Sequence, residues 1–136
     1  MIAYVDASVL LRIVLGEGNL LDEWEQLQAW SSELIRVECL RVIERYRAEG
    51  AITDEVVGER RAAVLEAINA FRLIGISGSI LSRASDPFPT SIATLDAIHL
   101  STALHQRDEY PETLVATHDR TLALAARSMG FDVLGV

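Results

Sequence analysis

The sequence predicts an α/β fold, a short parallel β-sheet covered by α-helices, in one domain spanning residues 1–136. Three observations carry this. The chain opens on "IAYV", an apolar run with β-branched and aromatic members that reads as a buried strand, and passes at once into a helical pattern. Near the end, "TLVATHD", "RTLALAARSM" and "FDVLGV" read as strand, helix and strand, an order that implies parallel strands joined by a helical crossover. Finally, 136 residues, half of them hydrophobic, are enough for a single core that buries roughly two-thirds of the unfolded surface.

Taken in order, the strand Ile2–Val5 runs into Asp6, and "SVLLRIVLGEG" continues as a helix that Gly16 stops. The segment "LLDEWEQLQAW" is expected to be helical. A stronger helix is expected in "SSELIRVECLRVIERYRAEG", with Ser31 or Ser32 as its cap and Gly50 after its end. In "TDEVVGERRAAVLEAINAF", Thr53 caps a third helix, Asp54 and Glu55 suit its dipole, and Val57, Val64, Leu65, Ile68 and Phe71 fall near one face. A short strand, "FRLIGIS", follows; "SRASDPFPTS" reads as a loop marked by Asp86, Pro87 and Pro89; "TSIATLDAIHLSTALHQR" is a helix. Gly130 stops the helix before the last strand.

Composition excludes several kinds of chemistry. The formal charge is −8, which argues against whole-surface binding to nucleic acid but leaves room for a local basic strip beside an acidic, metal-charged site. All twelve basic residues are arginines, so Schiff-base chemistry and phosphate loops that need a lysine ammonium are absent. A lone Cys39 in an apolar helical stretch gives no disulfide framework and fits a buried hydrophobe in a reducing compartment. No segment reaches the apolar length of a membrane span, and a soluble, cytoplasmic protein is expected. Mean hydropathy of +0.23 points to an apolar surface covered by a partner subunit.

The candidate site residues are carboxylates. Asp6 stands at a strand-to-helix corner, where it fits either a helix N-cap or a site residue at the carboxyl end of a strand. The pattern recurs at Asp119, where Leu114 to Ala116 lead through Thr117 and His118 into another helix. In a parallel sheet both ends lie on one edge, so the two can converge. Asp96 sits among Leu95, Ala97, Ile98, Leu100 and Ala103, company that excludes an acid from an amphipathic helix unless it is a first-turn residue favoured by the dipole. On the helix whose apolar face is Ile35, Cys39, Val42, Ile43 and Tyr46, Glu38 lies about 60° from Ile35, at the border of that face. Its alternative role is an exposed ion pair with Arg41 or Arg45.

Four carboxylates brought together raise one another's pKa values unless a cation sits among them. Oxygen-only ligation points to Mg²⁺ or Mn²⁺. Zinc has little support: His99, His105 and His118 lack the i, i+4 spacing, and one cysteine makes no thiolate site. A divalent ion suits phosphodiester hydrolysis because it lowers the pKa of its bound water and neutralises phosphate oxygens. Arg12, Arg36, Arg41 and Arg45 are close enough in sequence to contact phosphate, although a solvated helix face is the role expected of most of them.

These residues resemble the PIN-domain ribonucleases, and among them the VapC-like toxins of bacterial toxin–antitoxin pairs. The likeness runs through "YVDASVLLR", "SSELIRVECLR", "TLDAIHLSTA" and "LVATHDRTLALAA", and so covers essentially the whole chain. It implies an α/β fold with a short parallel sheet and metal-dependent endonucleolytic cleavage of RNA. The family's acidic quartet then falls on Asp6, Glu38, Asp96 and Asp119, with Glu33 as a second acid on the same helix as Glu38, and Ser8 and Thr117 match its accessory hydroxyls. The resemblance also implies a homodimer held by a cognate antitoxin. Two other classes compete. A phosphoacceptor or phosphatase domain of the receiver or haloacid-dehalogenase type also gathers Asp and Mg²⁺ but ordinarily uses a lysine, absent here; a catalytically silent PIN-fold binding module would keep the fold without turnover.

Overall fold

The structure, a computed structural model, describes Met1–Val136. Twelve elements follow one another: β1 (Ile2–Val5), α1 (Ala7–Val14), a 3₁₀ turn (Trp24–Gln26), β2 (Gln28–Ser32), α2 (Leu34–Ala48), α3 (Asp54–Asn69), β3 (Arg72–Ile74), α4 (Gly78–Ser85), α5 (Thr94–Glu109), β4 (Leu114–Ala116), α6 (Arg120–Ser128) and β5 (Val133–Leu134). The five strands form one sheet in the order β3-β2-β1-β4-β5, and every pairing is parallel. The predicted fold class is the observed one.

Strand order explains the layers. From β1 the chain moves outward through β2 to β3, then jumps back to place β4 on the other side of β1 and ends at β5. Right-handed crossovers running in opposite directions put their helices on opposite faces. Accordingly α1, α2 and α3 share one core of Leu10, Ile35, Cys39, Ile43, Val57, Val64 and Ile68. On the other face Tyr4 and Val115 pack against Leu100, Leu122, Ala125 and Phe131. The reversal falls between β1 and β4, whose carboxyl ends are in register at Val5 and Ala116. At such a point neighbouring loops diverge and leave a crevice at the strand ends.

Three expectations are corrected. The segment Leu20–Trp30 is not a helix: it forms turns, the 3₁₀ turn and the start of β2. Its backbone finds partners in the sheet, where Ala29 pairs with Ala3 and Trp30 with Tyr4, so strand pairing overrides a weak helical pattern. Ser31 and Ser32 consequently end a strand, and α2 begins only at Leu34. Ser31 Oγ donates to the Val5 carbonyl (2.7 Å), while Ser32 Oγ accepts the Leu34 N–H (3.2 Å), which retains part of the expected capping role. The loop placed at Ser82–Ser91 starts later, because α4 runs to Ser85; Ser77 Oγ caps it by accepting the Ile80 N–H (3.3 Å), and buried Ile80 anchors it.

Gly16, Gly50 and Gly130 stop their helices in the left-handed region, as expected. Gly135 has a different reason. It lies at φ +105°, and a Cβ there would collide with the Thr117 carbonyl oxygen. Only glycine lets the end of β5 close on the end of β4, where Thr117 N–H donates to the Leu134 carbonyl (3.0 Å).

Candidate active site

The strand half of the site is built around Asp6, which is 5 % exposed. Asp6 Oδ2 accepts the Ser8 N–H (3.3 Å), the Ser8 hydroxyl (2.6 Å) and the Thr117 hydroxyl (3.0 Å). Thr117 Oγ1 accepts the Asp119 N–H (3.0 Å), and Ser8 Oγ accepts the His118 N–H (2.9 Å). The two hydroxyls expected to be accessory therefore tie β1's end to β4's end and fix Asp6 between them. Asp119 Oδ1 caps α6 by accepting the Thr121 (2.8 Å) and Leu122 (3.2 Å) N–H groups. Asp6 and Asp119 are thus N-caps and neighbours of one cluster at once. A capped aspartate uses only some of its lone pairs, so the two roles do not compete.

The helix half faces them. Asp96, in the first turn of α5, carries no hydrogen bond that stabilises its charge, and burial together with the charges of Asp119, Asp6 and Glu38 raises its pKa to about 6. Glu38 projects from α2 with a partly exposed side chain; its Oε1 is hydrogen-bonded to His99 Nε2 rather than to Arg41 or Arg45. Glu33 is elsewhere: it is exposed and accepts the Ile76 N–H (3.0 Å) at the end of β3. Of the two glutamates, Glu38 is the one that stands beside Asp96.

His99 is the residue that sequence reasoning missed. It is fully buried, one turn after Asp96 on α5, with Nε2 at Glu38 and 4.0 Å from Asp6 Oδ1. Its Nδ1 meets the Tyr4 hydroxyl (2.6 Å), which also accepts the Ser32 N–H (3.1 Å). Burial holds Tyr4 far above its usual pKa, so the phenol keeps its proton; its hydroxyl is hydrogen-bonded to His99 Nδ1, and Nε2 on the other side of the ring to Glu38. Burial alone would lower the His99 pKa, but the hydrogen bond and charge of Glu38, with Asp6 and Asp96, outweigh it and raise it. The signal was available: Asp96 and His99 are spaced i, i+3, which puts both on one face of α5. Beside them Cys39 is buried and pushed up to about 12 by burial and by the charges of Glu38 and Asp6, an inert thiol.

The structure therefore brings Asp6, Glu38, Asp96 and Asp119 to one edge, with Ser8, Thr117 and His99 among them. As folded, no three His, Cys, Asp or Glu side chains stand at positions that would hold a metal ion. Glu38 is turned to His99, and Asp119 Oδ1 is turned to the N-terminus of α6.

A five-stranded parallel sheet of this order with an acidic switch point defines a class. Residues 3–128 match the PIN domain family, and the chain belongs to it. Among its relatives are two proteins of Mycobacterium tuberculosis. Ribonuclease VapC47 is 27 % identical over 140 residues, covering 94 % of this chain and 92 % of that one. Ribonuclease VapC35 is 26 % identical over 137 residues, covering 96 % and 94 %. Two solved structures are alike in fold. One is VapBC2 from Rickettsia felis bound to a promoter DNA fragment (TM-score 0.69, 8 % identity, 98 % of this chain and 99 % of that one). The other is a toxin–antitoxin complex from Klebsiella pneumoniae (TM-score 0.60, 20 % identity, 89 % and 90 %).

Proposed function

We propose that this PIN domain is a divalent-metal-dependent endoribonuclease and the toxin of a toxin–antitoxin pair. The observation that carries the reading is the convergence of Asp6, Glu38, Asp96 and Asp119 at the switch point, where burial first and then the neighbouring carboxylates raise Asp96 to about 6. Carboxylates left to repel one another are the complement of a hard cation, and oxygen donors suit Mg²⁺ or Mn²⁺. The donor chemistry fits, with Asp6 and Asp96 as main ligands and Glu38 and Asp119 as ligands or water positioners. When bound, the ion supplies a water of lowered pKa and neutralises phosphate oxygens.

The chain's own residues have definite tasks. Ser8 and Thr117 hold Asp6 Oδ2, which leaves Oδ1 for the cluster. His99 holds Glu38 by Oε1, which leaves Oε2 for an ion or a water. The names of the relatives support RNA as substrate, and the toxin–antitoxin complexes of like fold support an antitoxin partner. Val37, Leu95 and Leu124, each about half exposed, support a covered apolar surface and a homodimer. No helix is long and apolar enough to cross a membrane; with the free, buried Cys39 this favours the cytoplasm. The test is incubation of purified, partner-free protein with total RNA, with and without Mg²⁺ or Mn²⁺. Cleavage that needs the ion is expected, and intact RNA under both conditions would favour the silent binding module.

A further inference from the structure

Most of the twelve arginines have partners within the fold. Arg47 and Arg61 pair with Glu44, Arg47 also with Asp54. Arg60 is bound to the Val14 carbonyl, and Arg45, Arg72, Arg83 and Arg107 lie over Tyr46, Trp30, Phe88 and Phe131. Five remain, and three of those, Arg12, Arg120 and Arg127, line one cavity of about 630 Å³ with Asn19, His118, Gly135 and Val136. No carboxylate side chain lines it, and none of the three arginines is in an ion pair with one. Arg12 reaches only the Asn19 carbonyl (3.4 Å), and Arg127 only the Val136 main-chain oxygen. His118 Nδ1–H donates to the Gly135 carbonyl (3.1 Å), while its Nε2 is buried without a partner.

In a chain of charge −8, three guanidinium groups gathered with no acidic side chain lining the cavity between them repel one another, and an anion there relieves that repulsion. The cavity adjoins the carboxylate cluster. His118 N–H is bonded to Ser8, which holds Asp6, and Arg120 directly follows Asp119. A polyanion approaching four carboxylates is repelled unless cations flank them. We propose that Arg12, Arg120 and Arg127 form a phosphate subsite that holds the backbone of a single-stranded polynucleotide beside the carboxylates. This deepens the ribonuclease reading and rests on it for the identity of the strand. Phosphate oxygens take the planar guanidinium forks bidentately, and phosphates of one strand recur at a spacing that lets several arginines act together.

The test reads binding rather than cleavage, so that its failure is separable from failure of the nuclease reading. A fluorescently labelled oligoribonucleotide of mixed sequence is titrated by anisotropy in EDTA over a range of salt. For single strands the slope of log K against log salt changes by about 0.7 per phosphate neutralised. The triple variant Arg12→Gln, Arg120→Gln, Arg127→Gln should shrink the slope by about 2, and Arg120→Gln alone by about 0.7. The single variant keeps the test valid if loss of the Arg127 contact unsettles the last strand, since Arg120 is exposed and makes no internal bond. A control with the same charge loss elsewhere, Arg61→Gln, Arg72→Gln, Arg83→Gln, should leave the slope within about 0.7 of the parent. Equal slopes in pocket and control triples would overturn the proposal. So would loss of polyglutamate binding in the pocket triple with RNA binding intact, which would make this a site for an acidic peptide. Inorganic phosphate binding that the pocket triple abolishes while leaving RNA binding unchanged would also overturn it, in favour of a small-anion site.

Discussion

Asp6 and Asp96 belong to one cluster, yet their surroundings differ in kind. Asp6 is held by two hydroxyls and an N–H supplied from two strand ends. Asp96 has only charges and burial for company, and its pKa rises to about 6. The strand half of the site is thus fixed by hydrogen bonds before anything binds, whereas in the helix half only Glu38 has such a partner, His99, and Asp96 has none. The contrast assigns different vulnerabilities: geometry is lost by disturbing the strand ends, and charge balance by changing pH or the helix acids.

The largest expected effect is at Asp6. Asp6→Asn keeps an oxygen for the Ser8 and Thr117 donors, so the corner stays folded, but it removes a charge from the cluster. RNA cleavage should fall by more than ~100-fold, since loss of even outer-shell partners of a metal costs ~10–100-fold, while thermal melting of the metal-free protein should show no loss of stability. Parent-level cleavage would reduce Asp6 to a cap. Asp96→Asn should be as damaging to cleavage and more informative about pH. A carboxyl whose folded pKa is raised contributes stability that is fully present below its unfolded value, near 3.8, and is lost as pH rises through the folded value, near 6. In EDTA the melting temperature of Asp96→Asn should therefore gain on the parent between about pH 4 and pH 6 and hold that lead above; a constant offset would contradict the shift.

His99→Gln tests the link between the halves. Tyr4 and Glu38 lose a shared partner, with an expected cost of about 1–3 kcal/mol in denaturant unfolding and a ~10–100-fold loss of activity through misplacement of Glu38. Unchanged activity would show that Glu38 needs no support. Gly135→Ala disturbs only the strand half, since its methyl must push against the Thr117 carbonyl. A loss of about 1–3 kcal/mol is expected. The smallest effect belongs to Glu33→Gln, which keeps an acceptor for the Ile76 N–H and stands outside the cluster. Cleavage within a factor of two of the parent is expected; a large loss would mean that the helical acid was wrongly chosen.

The same contrast explains what was legible in the sequence. β1 and β4 could be read because their apolar runs ended in helix caps, and β5 because Gly130 stopped the helix before it; Asp6 and Asp119 are announced by the two capped corners. Asp96 stood out as an acid in apolar company. Less visible was anything decided by pairing: "QAWSS" becomes a strand because β1 and β3 lie on either side of it, a fact its own pattern does not carry. Helix α4 was hidden because its cap, Ser77, and its single buried anchor, Ile80, sit beside a Pro-marked loop. His99 escaped because a histidine amid apolar residues gains its meaning from Tyr4 and Glu38, which are 95 and 61 positions away.

The central claim is that these carboxylates hold a divalent cation, and calorimetric titration of Mn²⁺ into partner-free protein tests it most directly. The account predicts saturable binding at pH 7 in the parent, about tenfold weaker or more at pH 5 as Asp96 takes up its proton, and sharply weakened in Asp6→Asn. Affinity equal at the two pH values and unchanged in Asp6→Asn would contradict it.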